Sequence, residues 1–307
     1  MNPPISLSLL FKLSAASLSG ASFFLAWQHS RRCDVLAAQQ AEIRHALRDA
    51  GRLPPVIFII GFRGHGKSSF VNTVCRVLAE EDGQLVFRSE TAPVGPTKTT
   101  TVPRPVRAGR GTVALVDTPG LPTERLTRVH TETALAPLPG GGATAECAVV
   151  VLRCEYMRFS ERQILMKRIM EISSVLRAKG LPFVVLLTHK RAMKKAKEAE
   201  ELRKELALRA KTDCVYFVEN YVSAGCSSTS FGWKNGNRSI SVKNNFDTHS
   251  VTLAVMRQCV EFVATRRTDL QRLQTEPSDL LPPPSGGFSL PNFGNPELSM
   301  DSILNSE

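Results

Sequence analysis

The chain has 307 residues, 42% of them hydrophobic, which is enough for one large core with appendages or for two small domains. Its formal charge of +11 favours an anionic partner, yet three Tyr and two Trp leave no interleaved basic and aromatic surface, so no nucleic acid is expected as a partner. Seven scattered cysteines without a C-x-x-C pair argue against a disulfide framework, and six His without ligand spacing argue against a zinc site.

Ile5 to Trp27 is largely apolar, with Lys12 and six Ser inside it and no acidic residue before Asp34. Twenty-three residues are long enough to span a bilayer, so a transmembrane helix is expected in segment 1–32. Arg31 and Arg32 at its C-terminal flank would hold that side in the cytosol, at an organelle outer membrane or endomembrane. The lack of acid and abundance of Ser also fit an organelle transit peptide, and a cleaved secretory signal is a third reading. Asp34 to Ala50 reads as a short amphipathic helix, capped by Asp34 and closed by Gly51. Segment 33–52 would then be a helical stalk, and "RLPP" marks the boundary of the domain 53–268.

Within that domain buried strands alternate with helical stretches, the pattern of a largely parallel α/β sheet. Strands are expected at Val56–Ile60, Thr112–Val116, Ala148–Leu152, Phe183–Thr188 and Cys214–Val218. "TTTVPRPVRAGRGTVALV" reads as a hairpin turning at Gly109–Gly111, and its prolines place the first arm at a sheet edge, antiparallel to its neighbour. Arg191 to Lys211 holds eight Lys/Arg against four Glu, at spacings that fit a solvated helix with i,i+4 pairs. Residues 269–307 carry "LPPPSGG" and six acids against one Arg, the composition of a disordered tail.

Three stretches carry chemistry. "GFRGHGKSS" fits G-x-x-x-x-G-K-[ST] between a buried strand and a helical pattern. Backbone N–H groups around Gly61, Gly64, His65 and Gly66 would close on phosphate oxygens, with the dipole of the following helix behind them. Lys67 would contact the β- and γ-phosphates, Ser68 would complete a Mg²⁺ shell, and Ser69 would line the same turn. "VDTPG" follows the hairpin: the Asp117 carboxylate suits Mg²⁺ held through water, and the Gly120 N–H suits the γ-phosphate. Between the two, Thr97, Thr99, Thr100 and Thr101 offer hydroxyls to the metal, and Thr100 is taken as the ligand. The third stretch should read the base. Where [NT]-K-x-D would stand, "LLTHKRAM" places Arg191, which has no acceptor, after Thr188, His189 and Lys190. A carboxylate recurs after the next strand in "FVENY", as Glu219 beside Asn220.

Together, "GFRGHGKSSFVN", "TVPRPV…ALVDTPGL", "LLTHK" and "FVENY" resemble the Ras-like, TRAFAC-class P-loop GTPases near the septin, immune-associated and chloroplast protein-import (Toc) group, and the interferon-induced protein 44 family. The resemblance covers about Leu53 to Arg267 and implies a three-layer G domain that binds GTP or GDP with Mg²⁺. It implies that His189 stacks on guanine, that Glu219 accepts from the base, and that Asn220 adds a polar contact. It also implies dimerisation across the nucleotide face. Leu121 stands where a water-orienting Gln is usual, so turnover is expected to be slow. Arg63 could neutralise the β–γ bridge as a finger in cis, or merely bind phosphate or a carboxylate. A membrane-anchored GTPase switch or scaffold is the leading expectation. A pseudo-GTPase that never cycles, or an ATPase with the same fold, would fit the loss of the usual Gln and Asp.

Overall fold

The computed structural model describes residues 7–79, 102–109, 111–122, 128–138, 144–154, 159–193, 195–221 and 245–275, with the side chains of 7–21 and 159–160 excepted. Helix α1 (Leu7–Asp49) precedes β1 (Val56–Gly61), α2 (Lys67–Ala79), β2 (Arg104–Ala108), β3 (Val113–Asp117) and α3 (Arg128–Ala134). Then come β4 (Cys147–Arg153), α4 (Phe159–Ala178), β5 (Phe183–Thr188), a single 3₁₀ turn (Lys190–Ala192), α5 (Ala196–Ala210), β6 (Val215–Val218) and α6 (Phe246–Thr275). Met1–Asp269 forms one unit; of the second, Leu270–Glu307, only the end of α6 is described.

The six strands lie in the order β2-β3-β1-β4-β5-β6. β2 is antiparallel to β3, and every other pairing is parallel. β1 and β5 are buried along their whole length, which is why both read as unbroken apolar runs rather than alternating ones. β2 sits at the edge, where Pro105, with no N–H to give, disrupts no central ladder. Gly111 donates its N–H to Ala108 O at 3.1 Å and closes the hairpin where the glycines indicate.

Each sheet face is covered. Phe58, Ile60, Val150, Leu152, Val185 and Leu187 pack with Ile169, Ile172, Leu202 and Leu206 of α4 and α5. Ile57, Ile59, Val149, Val151 and Leu186 pack with Phe70, Val74, Leu253, Met256 and Val263 of α2 and α6. This is the three-layer arrangement of a P-loop GTPase, mostly parallel with one antiparallel strand. The basic run after Arg191 forms the solvated helix α5, paired at i,i+3 through Lys195–Glu198 and Glu200–Arg203, and tied to α4 by Arg162–Glu205 at 2.6 Å.

The N-terminus corrects the sequence reading in two ways. Among the described residues no helix is long and apolar enough to cross a membrane, so the expected transmembrane helix is not supported. The physical reason is dilution: Lys12 and six serines interrupt the apolar stretch, and α1 runs on through Arg31, Arg32, Asp34, Glu42, Arg44 and Arg48. Nor does a helix begin at Asp34. α1 continues past it without a break, because no Pro or Gly stands between Asp34 and Asp49. Its second half lies on the domain beside α6. Ile43, Ala46 and Ala50 are buried, Gln39 Nε2 donates to Ser250 Oγ at 3.1 Å, and Glu42 pairs with Arg257. Arg267 closes the junction, donating from Nε and Nη2 to the two Glu146 oxygens at 2.6 Å each, and from Nη1 to Leu53 O at 2.7 Å. Glu146 Oε2 in turn accepts the Val56 N–H at the start of β1, at 2.9 Å. The tail beyond residue 275 lies outside the described residues.

Candidate nucleotide site

β1 ends on Gly61, whose φ of +149° suits glycine. A Cβ there would lie 2.2 Å from Val151 O, so the strand could not leave the sheet beside β4 with any larger residue. The chain then turns through Arg63 to Gly66 and enters α2 at Lys67, which directs the first-turn N–H groups of α2 into the loop. Lys67 is 7% exposed and its Nζ donates to Gly61 O at 3.2 Å and Phe62 O at 3.1 Å, so the ammonium is held across the loop it belongs to. Burial lowers its pKa from 10.5 to about 8, against the opposing pull of Asp117.

Asp117, at the end of β3, accepts a 2.6 Å hydrogen bond from Ser68 Oγ on Oδ2. That contact joins the first two motifs directly. Hydroxyl and carboxylate oxygens side by side are the hard donors that suit Mg²⁺, so these residues fit that ion. Among the described residues no group of three His, Cys, Asp or Glu side chains could hold a metal, so the Ser68–Asp117 pair would need further oxygens from outside such a cluster.

Past Asp117 the backbone returns to the loop. Thr118 Oγ1 donates to Ile59 O at 2.8 Å, and Leu121 N–H donates to Gly61 O at 3.0 Å beside a parallel bridge from Phe62 to Leu121. Gly120 is pressed against Arg63, where a Cβ would stand 2.8 Å from the Arg63 Cα. Leu121 itself is 3% exposed and packs into the core with Phe62. Arg63 is exposed, and its side chain makes no ion pair or hydrogen bond among the described residues.

The base-reading residues gather at the C-terminal ends of β5 and β6. Thr188 Oγ1 donates to His65 O at 2.9 Å and lies 2.9 Å from His189 Nδ1. His189 takes a left-handed conformation (φ 60°, ψ 40°) and opens the 3₁₀ turn. Glu219 Oε2 accepts the Arg191 N–H at 3.1 Å. Asn220 Nδ2 donates to Gly66 O at 3.2 Å, while Asn220 Oδ1 is buried and accepts nothing among the described residues. An acceptor left so is what a ligand donor would satisfy. His65 serves the scaffold instead. Its Nδ1 accepts the Arg153 N–H at 3.0 Å and its ring meets Phe62 edge-on, with centroids 5.2 Å apart. Burial, then Lys67, lowers its pKa to about 4.

Ser69 lies in the first turn of α2, where its carbonyl accepts from Thr73 Oγ1 at 2.8 Å. Thr97, Thr99, Thr100 and Thr101 lie outside the described residues. Sequence reasoning missed the supports behind the base residues. Thr73 Oγ1 accepts the Tyr221 N–H at 2.9 Å, and Thr248 Oγ1 in α6 donates to Glu219 O at 3.0 Å. Neither threonine belongs to a motif, and each partner is distant in sequence, so no local signal marks them.

The phosphate loop, the Asp117 turn and the strand order define residues 56–190 as a TRAFAC-class P-loop GTPase domain, a GTP-binding G domain. That segment matches the family model described as 50S ribosome-binding GTPase, which covers less than half of the chain. No curated protein matches the sequence. Among solved structures the chain is similar to Toc33 from Arabidopsis thaliana in complex with Mg²⁺ and GMPPNP, at 18% identity and a TM-score of 0.45, over 76% of this chain and 93% of that one. It is similar to an ADP-ribosylation-factor-like or Sar1 GTPase from Encephalitozoon cuniculi in complex with GDP, at 10% identity and a TM-score of 0.38, over 81% and 96%. A probable GTP-binding protein engB is similar at 14% identity and a TM-score of 0.33, over 53% and 88%. At these scores no residue role passes from those proteins to this chain.

Proposed function

We propose that the protein is a membrane-associated, GTP-binding switch with slow intrinsic turnover, its domain on the cytosolic side. The observation that carries the guanine reading is the Asn220–Gly66 contact, which sets the Glu219–Asn220 segment against the phosphate loop. In this reading the loop N–H groups and Lys67 hold the phosphates, and guanine lies between His189 and the Glu219–Asn220 pair. Glu219 accepts from the base and Asn220 Oδ1 takes a further donor. Mg²⁺, held by Ser68 and Asp117 together with phosphate oxygens and water, would supply charge neutralisation at the β–γ bridge. Everything else falls to the chain: the buried loop excludes bulk water, and Lys67 arrives already desolvated.

The position of Leu121 favours slow hydrolysis, because a side chain turned into the core orients no water. A pseudo-GTPase that holds nucleotide without cycling is the second reading, and the same residue favours it. Arg63, exposed on the nucleotide face, supports self-association that completes the site. The test is titration of the full chain with GTP, GDP and ATP in Mg²⁺, with Lys67→Ala as control. Guanine preference that disappears in Glu219→Ala supports the reading; equal ATP binding overturns it. Phosphate release then separates a slow enzyme from a pseudo-GTPase.

A further inference from the structure

The side chains of α1 from Ser22 to Val35 are exposed apart from a half-buried Gln28, and contact with the domain begins at Leu36. Within that projecting stretch, Phe23 is 76% exposed, Phe24 56%, Leu25 63% and Trp27 48%. Four consecutive-turn apolar groups in water are an unusual cost for a helix that continues into a well-packed domain. They are also ordered among themselves. The Phe24 and Trp27 rings lie 6.0 Å apart, and the Arg31 guanidinium sits 5.0 Å from the Trp27 ring centre. At 3.6 residues per turn, Phe23, Phe24, Trp27 and Arg31 share an arc of about 100°, turned roughly 150° from the stripe of Leu36, Ile43, Leu47 and Ala50 that faces the domain. The patch therefore points away from the surface that α1 already covers.

We propose that this patch is a membrane-surface binding element, which inserts Phe23, Phe24 and Trp27 at the headgroup–acyl boundary of a bilayer containing anionic lipid. Charge selects the occupant. Segment 1–33 carries Lys12, Arg31 and Arg32 and no acidic residue, so it is attracted to a negative surface. Aromatic rings beside a guanidinium match the interfacial layer, where an amphipathic ring keeps one end dry and a basic side chain reaches phosphate. A spanning helix would need about 20 apolar residues, whereas a surface helix needs only an apolar face and a basic margin. The inference rests on the membrane part of the reading above and not on its nucleotide part.

The experiment uses the full chain carrying Trp233→Phe, which leaves Trp27 as its only tryptophan. Emission is recorded with vesicles of phosphatidylcholine alone and with roughly one third phosphatidylserine, alongside co-sedimentation. A blue shift and at least about tenfold tighter binding are expected with the anionic vesicles, weakened by salt. Lipids brominated near the headgroup should quench Trp27 more than lipids brominated at the chain ends. Phe23→Ser with Phe24→Ser should abolish co-sedimentation, and Arg31→Glu should weaken it. No shift with either vesicle overturns the proposal. So does binding that survives the double substitution, or deepest quenching at the chain ends. Self-association without lipid that the double substitution abolishes would assign the patch to a second copy instead. GTP binding measured in the same samples should not change, so failure here is distinguishable from failure of the nucleotide reading.

Discussion

Arg191 reaches Glu219 through its backbone: its N–H donates to Glu219 Oε2 at 3.1 Å while its guanidinium lies exposed. The residue that appears to spoil the base-reading motif thus acts through a group every residue but proline possesses. The carboxylate it holds comes from the neighbouring strand, since β5 and β6 pair in parallel with Thr188 opposite Val218.

Arg191→Ala should therefore change GTP affinity by less than about twofold, because the N–H remains. Glu219→Ala should lose about 1.5–3 kcal/mol, roughly 10–100-fold in GTP affinity, with ATP binding little affected. Competition of GTP against ATP in both variants checks this. Equal losses in the two would sink the assignment of Glu219 to the base.

Thr248→Val should weaken GTP binding more modestly. It removes the hydrogen bond from α6 to Glu219 O without touching the carboxylate, a loss of about 1 kcal/mol divided between stability and affinity. Calorimetric titration together with a thermal melt separates the two shares, and a melt shift with unchanged affinity would make Thr248 purely structural.

Leu121→Gln should not restore hydrolysis. The position sits where a water-orienting Gln is usual, yet its side chain belongs to the core beside Phe62, under a backbone fixed by the bond to Gly61 O. Burying an amide there costs about 1–3 kcal/mol. Single-turnover phosphate release should stay near the wild-type rate while the melting temperature falls. A clear rise in turnover would show that the Asp117–Leu121 turn rearranges when nucleotide is bound.

How far the sequence disclosed these relationships depends on range. Fully buried strands such as "VIFIIG" and "FVVLLT" declare themselves by continuous hydrophobicity, and Pro105 marks the edge strand, so the sheet was legible in outline. Motif residues with a chemical signature, Lys67, Ser68 and Asp117, fell where the spacing placed them. α1 misled because an apolar run ending in basic residues looks like an anchor, and because Asp34 resembles a cap. Only packing of Leu36 to Ala50 beside α6 reveals one continuous helix. Contacts such as Asn220 to Gly66, 154 residues apart, leave no local pattern at all.

Two pH dependences follow from the loop, of which the acid one concerns His65. Its folded pKa of about 4 lies below the ordinary 6.5, so between these values the unfolded chain binds the extra proton. The stability it contributes is complete above pH 6.5 and is lost as pH falls towards 4. Protonating Nδ1 would also remove the acceptor for the Arg153 N–H. His65→Asn, which keeps an acceptor but cannot titrate, should flatten the decline, as urea midpoints at pH 7 and pH 5 would read.

Lys67 governs the alkaline side. Its pKa of about 8 reflects a desolvated ammonium, and phosphate beside it would raise that value, so nucleotide binding takes up a proton above pH 8. GTP affinity should be flat below pH 8 and fall above it, by up to about tenfold per pH unit. Without nucleotide the same burial works against the fold. The unfolded chain keeps the ordinary 10.5, so Lys67 costs stability in full below about 8, and the cost fades as pH climbs to 10.5. Lys67→Met should therefore raise the melting temperature of the nucleotide-free protein at pH 7 by a margin that narrows at pH 9.5, while abolishing GTP binding. The variant exchanges a buried charge, poised for phosphate, for an apolar chain of similar length. A melting temperature lowered at both pH values would mean that the hydrogen bonds from Nζ to Gly61 O and Phe62 O outweigh the cost of burying the charge.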